Sequence, residues 1–249
     1  MVNNYDDYAS GRKKQLTEGT LRSHKYVEKP MMAAMLPDLI GKKVLMLGSG
    51  TGEESEFLKS KGAQDLIGMD LSEGSVKIAN ESFPNCEFIV GDMHQIPFDN
   101  ETFDFVYSSL TIHYTPDPKS VYHEISRVLK KGGGMLFSLG HPMRWSGTDV
   151  EINDMKLRIL GYGTKGENEQ LVYGDYMDFA LHRHFFPTGE VLEFYSGPPS
   201  LHFKQLKECG FTVEDFQESK CIEEMKEKDI NYYNRFSKIP QFMAFRVRK

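Results

Sequence analysis

Between about Lys42 and Gly140, short apolar runs alternate with amphipathic segments. KKVLMLGSGTG is apolar for four residues and then stops at glycines, as a parallel strand covered on both faces does. EESEFLKSKG reads as a helix with Phe57 and Leu58 on one side and Gly62 as its C-cap. DLIGMD reads as a strand ending in an acid, and SEGSVKIANESF as a helix with Ser72 at its N-cap. CEFIVGD and FDFVYSSL are the third and fourth strands. SVYHEISRVLKKGGG is the clearest helix: Val121, Ile125, Val128 and Leu129 recur at i, i+4, i+7 and i+8. Lys130 and Lys131 suit its negative end, and glycines stop it before a fifth strand, GMLFSLG.

This alternation predicts βαβ units with right-handed crossovers and an α/β, doubly wound, mostly parallel sheet. Such sheets bind ligands beyond the carboxyl ends of their strands, so the informative residues follow each strand. Upstream, MMAAMLPDLIG predicts a helix ending near Pro37 and a turn at Gly41. Residues 141–199 break the rhythm with Pro142, Pro187, Pro198, Pro199, several glycines and many aromatics. They read as an insertion, a lid over the strand ends. A helix, SLHFKQLKECG, and two strands, FTVEDFQE and QFMAFRVRK, resume the pattern around a long charged loop. The expected division is an N-terminal helical cap over residues 1–40 and a main domain over 41–249 that carries the lid.

Composition narrows the class. At 249 residues, 39% hydrophobic and 27% charged, the chain is globular in character. It has no apolar run of the length a membrane span needs, and MVNNYDDYASGRKK lacks the apolar core of a secretory signal. Cys86, Cys209 and Cys221 lie far apart and form no C-x-x-C pair, which suits a reducing cytoplasm. A net charge of −6 argues against nucleic acid as a partner.

GSGTG joins the first strand to the first helix through Gly48, Ser49, Gly50, Thr51 and Gly52. Glycines there allow a tight turn and close approach of the backbone to a ligand, at a helix N-terminus. In the dinucleotide pattern G-x-G-x-x-G the third glycine would stand where this chain has Glu53, and a carboxylate beside a pyrophosphate is unfavourable. The spacing suits a ligand without phosphates, such as S-adenosylmethionine. Asp70 ends the second strand, 18 residues beyond Gly52, where a carboxylate accepts from ribose hydroxyls. Asp92, in GDMHQIPF after the third strand, can accept from an exocyclic adenine amine, with the Met93 N–H beside it.

VLMLGSGTGE, GMDLSEGSVKIA, GDMHQIPFDNETFDFVYSSLTIHY and EISRVLKKGGGMLFS, taken in order over about residues 42–139, resemble class I S-adenosylmethionine-dependent methyltransferases. The likeness is strongest to the small-molecule branch typified by ubiquinone and menaquinone biosynthesis. The resemblance implies a Rossmann-like, seven-stranded, mostly parallel sheet with a C-terminal antiparallel strand. It also implies roles. Gly48, Ser49, Gly50 and Gly52 would pack against the methionine part and ribose. Asp70 would hold the ribose hydroxyls, with Leu71 against the adenine, and Asp92 and Met93 would bind the adenine edge. Ser109 and Leu110 would lie near the methionyl end. One position departs: many members carry an acid two residues before the first glycine, where this chain has Met46.

A methyltransferase aligns a nucleophile with a methyl group that is already electrophilic, and a general base assists when the acceptor is a hydroxyl or ammonium. His113 and His141 follow the fourth and fifth strands and are the candidate catalytic residues. His182 and His184 form H-x-H with no further convergent ligands, so no metal is expected. Trp145, Tyr162, Tyr173, Tyr176, Phe185 and Phe186 either wall an acceptor pocket or form the core of the lid. An N-terminal segment with Tyr5, Tyr8, His24 and Tyr26 is expected to close over the cofactor as a second lid, separable from the core. The partner expected is a small-molecule acceptor, and the protein a monomer or homodimer. A nicotinamide oxidoreductase, a non-catalytic relative of the same fold, and a methyltransferase acting on protein or RNA are the competing readings. The glycine spacing and the absence of a suitably placed Tyr-x-x-x-Lys pair argue against the first.

Overall fold

The computed structural model describes residues 22–166, 169–185 and 191–249. A π-helical turn, His24–Glu28, runs into α1, Lys29–Met35. The alternating core follows: β1 (Lys43–Leu47), α2 (Ser55–Ser60), β2 (Asp65–Asp70), α3 (Glu73–Ser82), β3 (Glu87–Val90), β4 (Phe103–Ser108), α4 (Pro118–Val128) and β5 (Leu129–Gly140). A short helix, α5 (Pro142–Trp145), leads into three antiparallel hairpins. They are β6 (Thr148–Ile152) with β7 (Met155–Ile159), β8 (Gly161–Lys165) with β9 (Glu169–Tyr173), and β10 (Ala180–Phe185) with β11 (Val191–Ser196). The chain closes with α6 (Pro199–Glu208), β12 (Thr212–Glu218), α7 (Met225–Lys228), α8 (Ile230–Phe236) and β13 (Phe242–Arg248).

The seven-stranded sheet has the order β12-β13-β5-β4-β1-β2-β3. β13 runs antiparallel to both its neighbours, and every other adjacent pair is parallel. The apolar run of β1 is explained by its two covered faces. Val44 and Met46 join the core layer under α1 and α3, whereas Leu45 and Leu47 join the layer under α4.

Local signals act as expected at several ends. The Ser72 side chain caps α3 by accepting the Ser75 N–H at 3.0 Å. Gly62 has φ +93° and donates to the Lys59 carbonyl, closing α2. Asp117 and Pro118 start α4, whose Val121, Ile125 and Val128 are fully buried.

Two expectations are corrected, at the end of α4 and in the charged loop after β12. The helix expected to run into Lys130 and Lys131 ends at Val128, because Leu129 pairs with Phe103 and begins β5. Lys130 instead binds Asp104 at 2.8 Å. The insertion, for which the sequence assigns no elements, holds the three hairpins. The charged loop after β12 folds into α7 and α8. Of the N-terminal segment, the described part is packed: Val27 is fully buried in the core, as are Met32 and Met35 of α1. Tyr5 and Tyr8 lie outside the described residues. No described helix is long and apolar enough to cross a membrane.

His202 of α6 lies fully inside the core, its Nδ1 2.9 Å from the Tyr122 hydroxyl. Burial depresses its imidazolium from the ordinary 6.5 to about 4. Between those values the unfolded chain binds a proton that the folded chain does not, so stability falls as pH drops through this window. On going from pH 7 to pH 5, His202→Gln is expected to lose about 2 kcal/mol less stability than the parent chain. Urea unfolding at the two pH values measures this, and equal losses would remove His202 from the acid response.

Candidate functional site

The carboxyl ends of β1 and β4 border an open cleft. Gly48, Ser49, Gly50 and Ser109 line it, together with His24, Lys29, Met46, Glu53, Glu54 and Tyr107. Of these, Lys29, Glu54 and Tyr107 were not singled out by sequence reasoning. Nothing local in the sequence links Lys29 of α1 to this strand end.

The glycine loop is closely fitted. Gly48 has φ +68°, and a Cβ there would stand 2.1 Å from the Thr111 hydroxyl oxygen. Gly52, at φ +87°, is backed by Phe83 and Phe88. Gly50, at φ +53°, has nothing within 4 Å of its absent Cβ and leaves a cradle open on the cleft. Asp70 ties this loop down. Its Oδ2 accepts the Gly50 N–H at 2.8 Å and its Oδ1 accepts the Ser72 N–H at 3.0 Å.

Leu71 follows with its side chain 58% exposed, an apolar surface at the rim. Asp92, after β3, accepts from the His94 N–H and approaches His94 Nδ1, both at 2.8 Å. Burial works to raise its carboxyl, but these bonds outweigh it and hold Asp92 below the ordinary carboxylate range. Met93 is half-buried beside it. Leu110, after β4, is buried with φ +51°, a left-handed conformation uncommon for a branched side chain, and its N–H donates to Ser138 Oγ at 3.0 Å.

An acidic wall stands beside Ser109. Glu28, from the π-helical turn, is fully buried. Its Oε1 accepts from Ser138 at 2.7 Å and Ser109 at 3.0 Å. Burial, then the nearby Glu54 charge, push its carboxyl up to about 7 despite these bonds. The Tyr107 phenol is raised well above its ordinary range by burial and then by Glu54 and Glu28. Burial thus keeps the Tyr107 phenol neutral and Glu28 partly protonated, and Glu54 is the carboxylate of the group that lines the cleft.

The candidate histidines have different settings. The His113 ring packs edge-on against Tyr114 at 4.4 Å and against Phe194 of β11 at 5.7 Å between centroids. His141 is fully buried and caps α5, its Nδ1 accepting the Met143 N–H at 3.1 Å. Its Nε2 therefore carries the proton and donates to Glu218 at 2.9 Å, which engages both ring nitrogens. Among the aromatics of the insertion, Trp145 packs on Phe194 at 4.7 Å, His182 bonds Ser196, and Tyr162 is exposed. Phe186 lies outside the described residues, and no group of three or more His, Cys, Asp or Glu poised for a metal occurs among them.

A glycine loop tied to an acid at the next strand end, beside an acidic wall, defines a nucleoside cleft for a cationic ligand without phosphates. Residues 45–137 match the family model described as a methyltransferase domain. The chain is 35% identical over 172 residues to the demethylmenaquinone methyltransferase of Thermotoga maritima, spanning 69% of this chain and 70% of that protein. It is 37% identical over 146 residues to a malonyl-[acyl-carrier protein] O-methyltransferase of Herminiimonas arsenicoxydans, spanning 57% and 55%. Other curated relatives are spanned over only 61%, 41%, 23% and 43% of their own lengths. The fold superposes with TM-score 0.71 on an S-adenosylmethionine-dependent methyltransferase from Mesorhizobium loti, at 22% identity over 89% of this chain and 97% of that one. The chain belongs to the class I S-adenosylmethionine-dependent methyltransferases, and the family's cofactor fits the residues present: an open glycine cradle, a carboxylate at the second strand end and a buried acidic wall.

Asp70→Ala removes two charge-assisted bonds that hold the loop. Such bonds contribute about 1.5–3 kcal/mol each, so affinity for S-adenosylhomocysteine is expected to fall at least about tenfold. Calorimetric titration reads this directly, and unchanged affinity would take Asp70 out of the site.

Proposed function

We propose that this protein transfers the methyl group of S-adenosylmethionine to a small-molecule acceptor by in-line displacement. The glycine loop tied to Asp70 beside a cleft lined by Glu54 carries the reading, because the loop leaves room for a nucleoside and the carboxylate suits a ligand bearing a sulfonium and an ammonium. When bound, the cofactor supplies an electrophilic methyl group. Gly48, Ser49, Gly50 and Gly52 cradle it. Asp70 holds the ribose hydroxyls, Leu71 covers the adenine, and Asp92 and Met93 bind the adenine edge. Ser109 and Leu110 stand at the methionyl end. Glu54 lines the cleft with Met46 and supplies the carboxylate that this position lacks.

In this reading residues 1–40 cap the cleft and 141–199 form the acceptor-side lid of the domain spanning 41–249. His113, against the lid strand β11, is the candidate base. His141 positions α5, since taking up a second proton would break its bond from Met143. A small-molecule acceptor is supported by relatives named for demethylmenaquinone. The net charge of −6 weighs against nucleic acid. We place the protein in the cytoplasm as a monomer or homodimer.

Methyl-labelled S-adenosylmethionine and a cell extract, separated afterwards by ultrafiltration, test the acceptor class. Label is expected in a low-molecular-mass product that chromatography resolves from the cofactor itself. Label confined to the protein or RNA fraction would overturn the small-molecule reading. With a hydroxyl or ammonium acceptor in hand, His113→Gln is expected to lower kcat at least about 10²-fold, and an unchanged kcat would exclude it as the base.

A further inference from the structure

Asp92 stands one strand along the sheet from Asp70. Val90 pairs with Asp70, and the Gly91 N–H donates to the Asp70 carbonyl at 2.9 Å. The loop then turns back at once, with the Gln95 N–H on the Asp92 carbonyl at 3.0 Å. The Asp92 side chain is 53% exposed, and a carboxylate so placed ordinarily samples several rotamers. Here His94 fixes it. Asp92 Oδ1 accepts the His94 N–H at 2.8 Å and lies 2.8 Å from His94 Nδ1. Both bonds fall on one oxygen, and Oδ2 has no hydrogen bond among the described residues.

The far side of the ring is anchored in turn. His94 Nε2 lies 2.7 Å from Thr115 Oγ1, 21 residues further along the chain. Thr115 is buried, and its Oγ1 accepts the Asp117 N–H at 2.9 Å. Asp117 starts α4 by accepting the Ser120 N–H at 3.2 Å. A carboxylate only accepts, so His94 Nδ1 carries a proton and donates it to Asp92. The other nitrogen of a neutral imidazole is an acceptor, and the Thr115 O–H donates to it. The bonds thus run in one direction, from the start of α4 through Thr115 and His94 to one oxygen of Asp92. With both ring nitrogens held, the imidazole cannot turn, and its N–H stays aimed at Oδ1.

We infer that His94, anchored by Thr115, is a specificity-determining residue of the cofactor site: it holds Asp92 so that Oδ2 is a fixed acceptor that selects a 6-aminopurine over a 6-oxopurine. The inference rests on the methyltransferase reading, with Asp92 at the adenine edge. An amine at purine C6 donates to the carboxylate, whereas a carbonyl there sets two acceptors against each other. A carboxylate free to rotate escapes that repulsion, so the selectivity needs the clamp as well as the acid. His94 acts through Asp92 and is a positioning residue.

S-adenosylhomocysteine and S-inosylhomocysteine differ at purine C6, and calorimetric titration of both into the parent and three variants tests the clamp. The parent is expected to prefer the adenosyl compound by at least about 10²-fold. His94→Leu removes both ring bonds and should cut this preference at least about tenfold, by weakening the adenosyl compound and not the inosyl one. An asparagine amide can take the place of Nδ1, and a glutamine amide that of Nε2. His94→Asn should therefore keep more of the preference than His94→Gln. A merely structural role for His94 would weaken both ligands together. An unchanged ratio in His94→Leu, or a better-preserved one in His94→Gln than in His94→Asn, overturns the inference. A parent that binds both compounds equally well removes Asp92 from the adenine edge, and the inference falls with that assignment. A parent that binds neither overturns the methyltransferase reading itself.

Discussion

Two backbone N–H groups, those of Gly50 and Ser72, converge on the Asp70 carboxylate. One belongs to the turn after β1 and the other to the residue that caps α3. A single side chain at the end of β2 therefore sets the glycine loop relative to the next helix. The loop cannot relax elsewhere, because Gly48 and Ser49 are also bonded to the Met69 carbonyl. The shape of the cleft follows from this junction. The rest of the site is arranged around a loop whose backbone has little remaining freedom.

The opposite wall is held by a second carboxylate of different character. Glu28 comes from outside the alternating core and reaches the ends of β4 and β5 through Ser109 and Ser138. A buried acid of this kind is costly without partners. Its hydroxyl bonds offset part of that cost and join the N-terminal helix to the strand ends. The same helix buries Val27, Met32 and Met35, so cofactor-side chemistry and core packing share one element. The cleft depends on this helix for both its wall and its charge.

Much of this was legible in the sequence because it is local. The Ser72 cap, the Gly62 stop, the α4 face of Val121, Ile125 and Val128, and the glycine loop are all patterns within a few residues. What escaped depends on distance along the chain. The end of α4 was misjudged because Leu129 pairs with Phe103, 26 residues earlier. Glu28 and Ser138 are 110 residues apart, and no periodicity links them. The hairpins were hidden by a different cause: their strands are largely exposed, so hydrophobic alternation is weak. One local signal was present all the same. Asn153 and Asp154 both adopt positive φ, the two-residue turn that such a pair favours.

The Gly48–Thr111 contact has a mechanical meaning. A methyl group cannot be inserted between them, and the Thr111 hydroxyl also reaches the Gly48 and Ser109 carbonyls. The turn after β1 and the turn after β4 thus interlock like meshed teeth. Neither can shift by an ångström without displacing the other. His113 lies two residues beyond Thr111 and packs against β11, so the inserted hairpins, the turn after β4 and the glycine cradle meet along one continuous line of contact.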